Sequence, residues 1–251
     1  MQNALDSRHP FATRRLTPDI TLDARRAVWF SETRTLAVAD LHLGYAWAHR
    51  HGGQLLPVSA DSDVLPRLLA LLTSYEPEEV VVLGDIVHRA VPVEALKSEL
   101  CELIGGLSER VARVTLIAGN HDRKLRRLLD DCGLHDVELI REAKAGPHLL
   151  AHGDESDPER AAERLREAAS RSGRVFIGHE HPAITLSDGV ATRAKCACFL
   201  ASERMVVLPA FSSWAAGSNV RAGRFMSPYA AGENFTAAFA ILAGKLLPIR
   251  L

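Results

Sequence analysis

The chain contains no run of 18 apolar residues, so no segment of it is expected to span a membrane as a helix. Its first 30 residues hold arginines but no apolar signal core, and we expect a cytoplasmic protein with reduced thiols and no membrane partner. Cysteine is scarce. Cys101, Cys132, Cys196 and Cys198 in 251 residues do not make a disulfide framework. Cys196 and Cys198, two apart in KCACFL, would share one face of a strand, and no second pair of zinc-finger spacing follows them. They are expected to pack as small hydrophobes. A dominant charge is also missing: the net value of -1 gives no global attraction to nucleic acid, although local patches stay open. Neither an internal repeat nor a low-complexity linker divides the sequence, so one domain over 1–251 is expected.

What is present is an ordinary globular composition, 47% hydrophobic and 24% charged. Short apolar runs recur: RAVWF (26–30) and TLAVAD (35–40) as a hairpin, then EVVVLGD (79–85), ARVTLIAGN (112–120), PHLLAHGD (147–154), RVFIGHEH (174–181), RMVVLPAF (204–211) and TAAFAILAGKLLPIR (236–250). Continuous apolar runs suit strands covered on both faces. Helical spacing fills the early gaps. Leucines at 65, 68, 69 and 72 make 62–74 amphipathic, and 93–107, 122–131 and 158–171 behave similarly. Strands alternate with helices for two thirds of the chain and then follow one another. That order predicts an α/β core with a second, more antiparallel sheet. The glycine-rich segment 215–234 is expected to be loop.

The chemistry lies where these runs end. Asp40 and His42 follow the first, Asp85 the next, then Asn120, His121 and Asp122, then His152, then His179 and His181. In an α/β sheet the carboxyl ends of strands are where ligands bind. Each piece alone has a plainer explanation: a turn, a helix cap at Asp122, a hydrogen-bonded core histidine at His152. Together, G-N-H-D and G-H-x-H have a chance probability on the order of 10⁻⁵ at ordinary composition. Carboxylate, imidazole and amide oxygen without thiolate suit Mn²⁺ first, with Fe²⁺ or Zn²⁺ as alternatives. Asp40, His42, Asp85, Asn120, His152, His179 and His181 are enough for two ions if one carboxylate bridges. Such a pair suits phosphoester hydrolysis. His121 would then be free to face substrate, protonating the leaving oxygen or stabilising charge on the phosphoryl group, with Asp122 holding its imidazole.

The ordered set DLH (40–42), GD (84–85), GNHD (119–122), AH (151–152) and GHEH (178–181) resembles the calcineurin-like metallophosphoesterases. The resemblance implies a four-layer α/β/β/α sandwich of two mixed sheets with a dinuclear site at one sheet edge. By the family pattern Asp40, His42 and His181 would hold one metal, Asn120, His152 and His179 the other, and Asp85 would bridge. A narrower set, ADLHLGYAWAHRHGGQLLP, GDIVHR, GHEHPAI and VVLPAF, is similar to the SbcD-related and DNA-ligase-associated phosphoesterases. It implies a DNA-repair phosphodiesterase or nuclease acting on single-stranded DNA or nucleotides, with DNA-repair proteins as partners. This chain departs from that pattern at Tyr45, where a lysine often follows DLHLG, and at SSWAAGS (212–218), where a TGG-like stretch often follows PAF. A phosphomonoesterase using the same site, or a metal-stabilised repair scaffold without activity, are the alternatives.

Around this set, His88 and Arg123 are candidate substrate contacts. Lys124, Arg126 and Arg127 extend Arg123 into a basic cluster that would receive phosphates or merely face solvent. His49 and His51 are expected on a loop, His148 competes with His152, and Phe211, Trp214, Phe225 and Tyr229 divide between core and base stacking. The loops 44–58 and 212–234 are expected to shape the substrate groove.

Overall fold

A computed structural model describes residues 11–54, 63–92, 94–187, 189–191, 193–215 and 217–251. Among these residues two sheets form. The first contains β1 (Thr13–Arg15), β2 (Ile20–Asp23), β3 (Ala27–Phe30), β4 (Thr35–Ala39), β5 (Glu79–Leu83), β6 (Arg113–Ile117) and β7 (Glu138–Ile140), in chain order. Neighbours are antiparallel from β1 to β4 and parallel from β4 to β7.

The second sheet contains β8 (Glu142–Ala145), β9 (His148–Ala151), β10 (Val175–Ile177), β11 (Pro182–Ser187), β12 (Arg193–Ala201), β13 (Met205–Val207), β14 (Ser218–Asn219), β15 (Ala237–Leu242) and β16 (Lys245–Arg250). Its order is β14-β11-β12-β13-β10-β9-β8, with β15 on β12 and β16 on β15. Here β9, β10 and β13 are parallel and most of the rest antiparallel. Both sheets are therefore mixed.

The central strands show two covered faces. In β5, Val80 and Val82 join one apolar cluster while Val81 and Leu83 join another. In β10, Val175 and Ile177 point one way and Phe176 the other. The period of two thus sorts a continuous apolar run into two cores. The first core lies under α1 (Tyr45–His51), α2 (Val64–Tyr75), α3 (Glu94–Ser108) and α4 (Leu125–Asp131). A middle core joins the sheets, where Phe30 meets Phe176 edge-on at 4.8 Å. The third lies under α5 (Pro158–Ser170) and α6 (Pro228–Ala231). The layers are α/β/β/α, as expected.

Local rules account for the helices. In α2 the buried residues Val64, Leu68, Leu71 and Leu72 form one stripe. In α5 the Asp157 carboxylate accepts from the Glu159 amide at 2.9 Å and Pro158 begins the first turn, a cap contributing about 1 kcal/mol.

Several expectations need correction. The run 236–250 is a hairpin, β15 and β16, turned at Ala243 and Gly244 with φ of 48° and 72°, which lets two adjacent strands use a two-residue loop. Segment 215–234 holds β14, a 3-10 turn over Val220–Ala222 and α6. His49 and His51 lie in α1 and not in a loop. Helix α4 starts at Leu125 because Asp122 is tied into the preceding turn. Cys101 and Cys132, with Cα atoms 5.5 Å apart, form a disulfide, so the expectation of reduced thiols fails for that pair. Cys196 and Cys198 stay free and buried on one face of β12, as expected. Ser62, Val93 and segment 55–58, included in the expected helices and groove loop, lie outside the described residues. Among the described residues no helix is long and apolar enough to cross a membrane.

Candidate metal centre

Because β4, β5 and β6 run parallel in one sheet, and β9 and β10 in the other, their carboxyl ends emerge at one edge of the sandwich. The chain must turn sharply there. Asp40, His42, Asp85, His179 and His181 all take positive φ, between 44° and 66°. Non-glycine residues hold that conformation at a cost, and such strain collects at functional sites. Two glycines let the strand ends meet. A Cβ on Gly178 would stand 2.6 Å from Asp40 Oδ2, and one on Gly119 would stand 2.5 Å from the Asp85 amide nitrogen.

The seven expected ligands come together in two groups. Asp40, His42, Asp85 and His181 form one, and Asp85, His152 and His179 the other, each with its ligand atoms within 4.8 Å. Asp85 belongs to both. Its Oδ2 lies 3.9 Å from His42 Nε2, and its Oδ1 lies 3.4 Å from His152 Nε2. Asn120 Oδ1 joins the second group, 3.2 Å from His152 Nε2. The Leu83 carbonyl, 3.1 Å from His152 Nδ1, accepts the Nδ1 proton and leaves Nε2 as a lone pair facing the group. Asp40 is braced by the His179 amide at 3.1 Å.

This donor set fits divalent cations. His42 Nε2 and His181 Nε2 face each other at 3.2 Å, as do His152 Nε2 and His179 Nδ1. Burial pushes His42 down to about 3 and His179 down to about 4 against the pull of Asp40, so both are the neutral imidazoles that ligate metals. Burial also opposes ionisation of Asp40, but His181 and the other histidines outweigh it and hold its carboxyl below the ordinary value. Asp85 is pushed up, by burial first and also by the neighbouring Asp40 charge. Two buried carboxylates and facing imidazole lone pairs are jointly satisfied by cations placed among them.

His121 points outward beside this centre and is exposed. Its Nε2 lies 3.9 Å from Asp85 Oδ2 and its amide donates to Asp85 Oδ1 at 3.1 Å. The expected partner of its ring is corrected. Nδ1 pairs with the His88 carbonyl at 2.6 Å, while the buried Asp122 carboxylate accepts from the amides of Gly119, Val87 and Ile86 at 2.9, 3.1 and 3.2 Å. Asp122 braces the loop and does not touch the imidazole through these bonds. A helix-cap signal was visible at Asp122, but nothing in the sequence says that its acceptors face two separate loops.

Other candidates separate cleanly. His148 is withdrawn from the site: its Nε2 bonds Asp19 Oδ2 at 2.7 Å and its Nδ1 accepts the Arg174 amide at 3.0 Å. Arg126 is occupied with the His135 and Val137 carbonyls, while Arg123, Lys124 and Arg127 are exposed. Phe211 and Tyr229 are core, and Phe225 packs on Phe235. The half-buried His88 ring contacts His42, His49, Tyr45 and His121. Tyr45, Ser212 and Trp214, from the two segments expected to shape the groove, line one cavity with His42.

Residues 34–196 match the calcineurin-like phosphoesterase superfamily domain. The chain belongs to that superfamily. This phosphoesterase domain is thus a hydrolase by family, and its candidate metal-ligand residues occupy one edge of the fold. No curated protein matches the sequence. Among solved structures, the crystal structure of Pseudomonas putida nuclease MPE is similar, with a TM-score of 0.64 and 23% identity over 95% of this chain and 100% of that one. At that identity the likeness describes the fold of the phosphoesterase.

Proposed function

We propose that this protein hydrolyses phosphodiesters, with single-stranded DNA or nucleotides as the substrate class, using two divalent metal ions bridged by Asp85. The observation that carries the reading is the pair of ligand groups sharing Asp85, with the exposed His121 beside them. Asp40, His42 and His181 would hold one ion and Asn120, His152 and His179 the other. Bound there, the ions would supply Lewis-acid polarisation of phosphoryl oxygens and activation of a water. Mn²⁺ is the first choice, since the donors are carboxylate, imidazole and amide oxygen.

The chain's own part is positioning and proton transfer. Nδ1–H of His121 donates to the His88 carbonyl, which directs Nε2 to the reaction space. A proton on Nε2 would go to the leaving oxygen. Asp122 acts through the loop it braces, so its role is to hold His121 and Asn120 in place. His88 and Arg123 would contact substrate. The chain acts as one domain, because both sheets contribute ligands. A DNA-repair setting with repair proteins as partners rests on the sequence motifs alone.

The test is Mn²⁺-dependent hydrolysis of bis-p-nitrophenyl phosphate against p-nitrophenyl phosphate, with His121→Ala as control. Preference for the diester supports the reading. Preference for the monoester makes the protein a phosphatase, and no turnover of either by wild type favours a scaffold.

A further inference from the structure

Aromatic rings run from the metal centre to the loop after β13. The His121 and His88 rings lie 5.4 Å apart at 24°, and His88 and His49 lie 5.3 Å apart at 18°. Tyr45 touches both His88 and His49, at 4.5 and 4.3 Å. Trp214 then stacks on Tyr45 at 5.7 Å and 11°. Tyr45 and Trp214 are only half-buried. Neither ring is placed at random.

The loop bearing Trp214 is fixed from behind. Half-buried Arg26 donates to the Ala210 carbonyl at 2.9 Å and the Ser212 carbonyl at 2.7 Å. The amides of Phe211 and Ser212 donate to the Ala39 and Asp40 carbonyls, which ties this loop to the strand end carrying a candidate ligand. The Arg67 guanidinium covers the Phe211 ring at 4.3 Å, Ser213 Oγ bonds Asp63 Oδ2 at 2.7 Å, and the Ser212 hydroxyl accepts from the Trp214 amide at 3.2 Å. A rigid, partly exposed aromatic pair next to a phosphoester site loses little freedom on binding a flat ligand.

We infer that Tyr45 and Trp214 form a stacking platform for an unpaired nucleobase next to the scissile phosphate. The inference rests on the phosphodiesterase reading above and deepens it to a single-stranded nucleic-acid substrate. A base in a duplex already has both faces stacked, whereas an unpaired base offers a free face that an aromatic side chain can cover. His42 lines the same cavity as both rings, so a base on the platform brings its phosphate towards the ligand groups.

The experiment measures binding of a fluorescent single-stranded oligonucleotide and of the same strand with abasic residues, by anisotropy in EDTA. Wild type should bind the intact strand about tenfold more tightly, the scale of one lost base stack. Trp214→Ala and Trp214→Leu should shrink that ratio towards one, and Trp214→Phe should restore it. Because each variant serves as its own reference, a general loss of affinity leaves the ratio readable. Thermal melting checks that the variants fold, and Tyr45→Leu against Tyr45→Phe gives an independent pair. An equal ratio in wild type, Trp214→Leu and Tyr45→Leu would overturn the platform. Failure of wild type to cleave any diester in Mn²⁺ overturns the phosphodiesterase reading instead, and the anisotropy ratio does not depend on turnover.

Discussion

The Nδ1 atom of His121 lies 2.6 Å from the backbone carbonyl oxygen of His88, on a loop from a different strand. That contact makes Nδ1 the donor and leaves Nε2 on the side of the ligand groups, 3.9 Å from Asp85 Oδ2. His121→Ala should therefore lower diester turnover by roughly 10²–10⁴-fold, the scale of a lost general acid. Its metal content by elemental analysis and its melting temperature should match wild type. Turnover within a few-fold of wild type would remove His121 from the reaction.

Asp122 predicts a different phenotype. Replacing it by alanine leaves the amides of Ile86, Val87 and Gly119 without their acceptor. Asp122→Ala should cost about 2–4 kcal/mol in urea unfolding, through several buried unsatisfied donors. His121→Ala should show no such cost, so the two neighbours separate on stability alone.

Asp85 serves both ligand groups. Asp85→Ala should reduce bound Mn²⁺ more than Asp40→Ala or His179→Ala, each of which belongs to one proposed ion. Metal stoichiometry after desalting reads this directly. Equal metal in Asp85→Ala and wild type would end the bridging assignment.

Gly119 has no room for a side chain, since a Cβ would meet the Asp85 amide at 2.5 Å and His152 Nε2 at 3.0 Å. Gly119→Ala should lose about 1–3 kcal/mol by overpacking and weaken metal binding. Calorimetric titration with Mn²⁺ would show it. Gly133→Ala, where the Cβ meets nothing within 4 Å but φ is positive, should leave metal affinity unchanged.

Asp19 and His148 make a pH-dependent tie outside the centre. Burial acts to raise the Asp19 pKa, and the bonds from His148 and Thr17 outweigh it, leaving the value below ordinary. A depressed folded-state value contributes stability above the unfolded value of about 3.9 and loses it as pH falls through the folded value. Asp19→Asn should melt earlier than wild type at pH 7, with the gap closing below pH ~4. A gap that widens in acid would contradict the assignment.

Much of this protein was legible along the chain. Runs such as VVVL and VTLI declare strands covered on both faces, and each polar terminus marks the sheet edge where a ligand site forms. Residue types at those ends were enough to indicate divalent metal chemistry and the family. Partnership was not legible. His148 and His152 lie four apart near one strand, yet one pairs with Asp19 and the other faces Asp85, because only the strand's carboxyl end reaches the centre. The pairing of Cys101 with Cys132 depends on how α3 meets α4. Asp122 and His121 are adjacent in sequence and both reach the 86–88 segment, Asp122 through the Ile86 and Val87 amides and His121 through the His88 carbonyl. Tyr45 meets Trp214 across 169 positions only because Arg26 and Asp63 hold the loop there. Periodicity and residue chemistry are local properties that the sequence determines by itself. Contacts between side chains from distant strands depend on sheet order and packing, which only the folded structure decides.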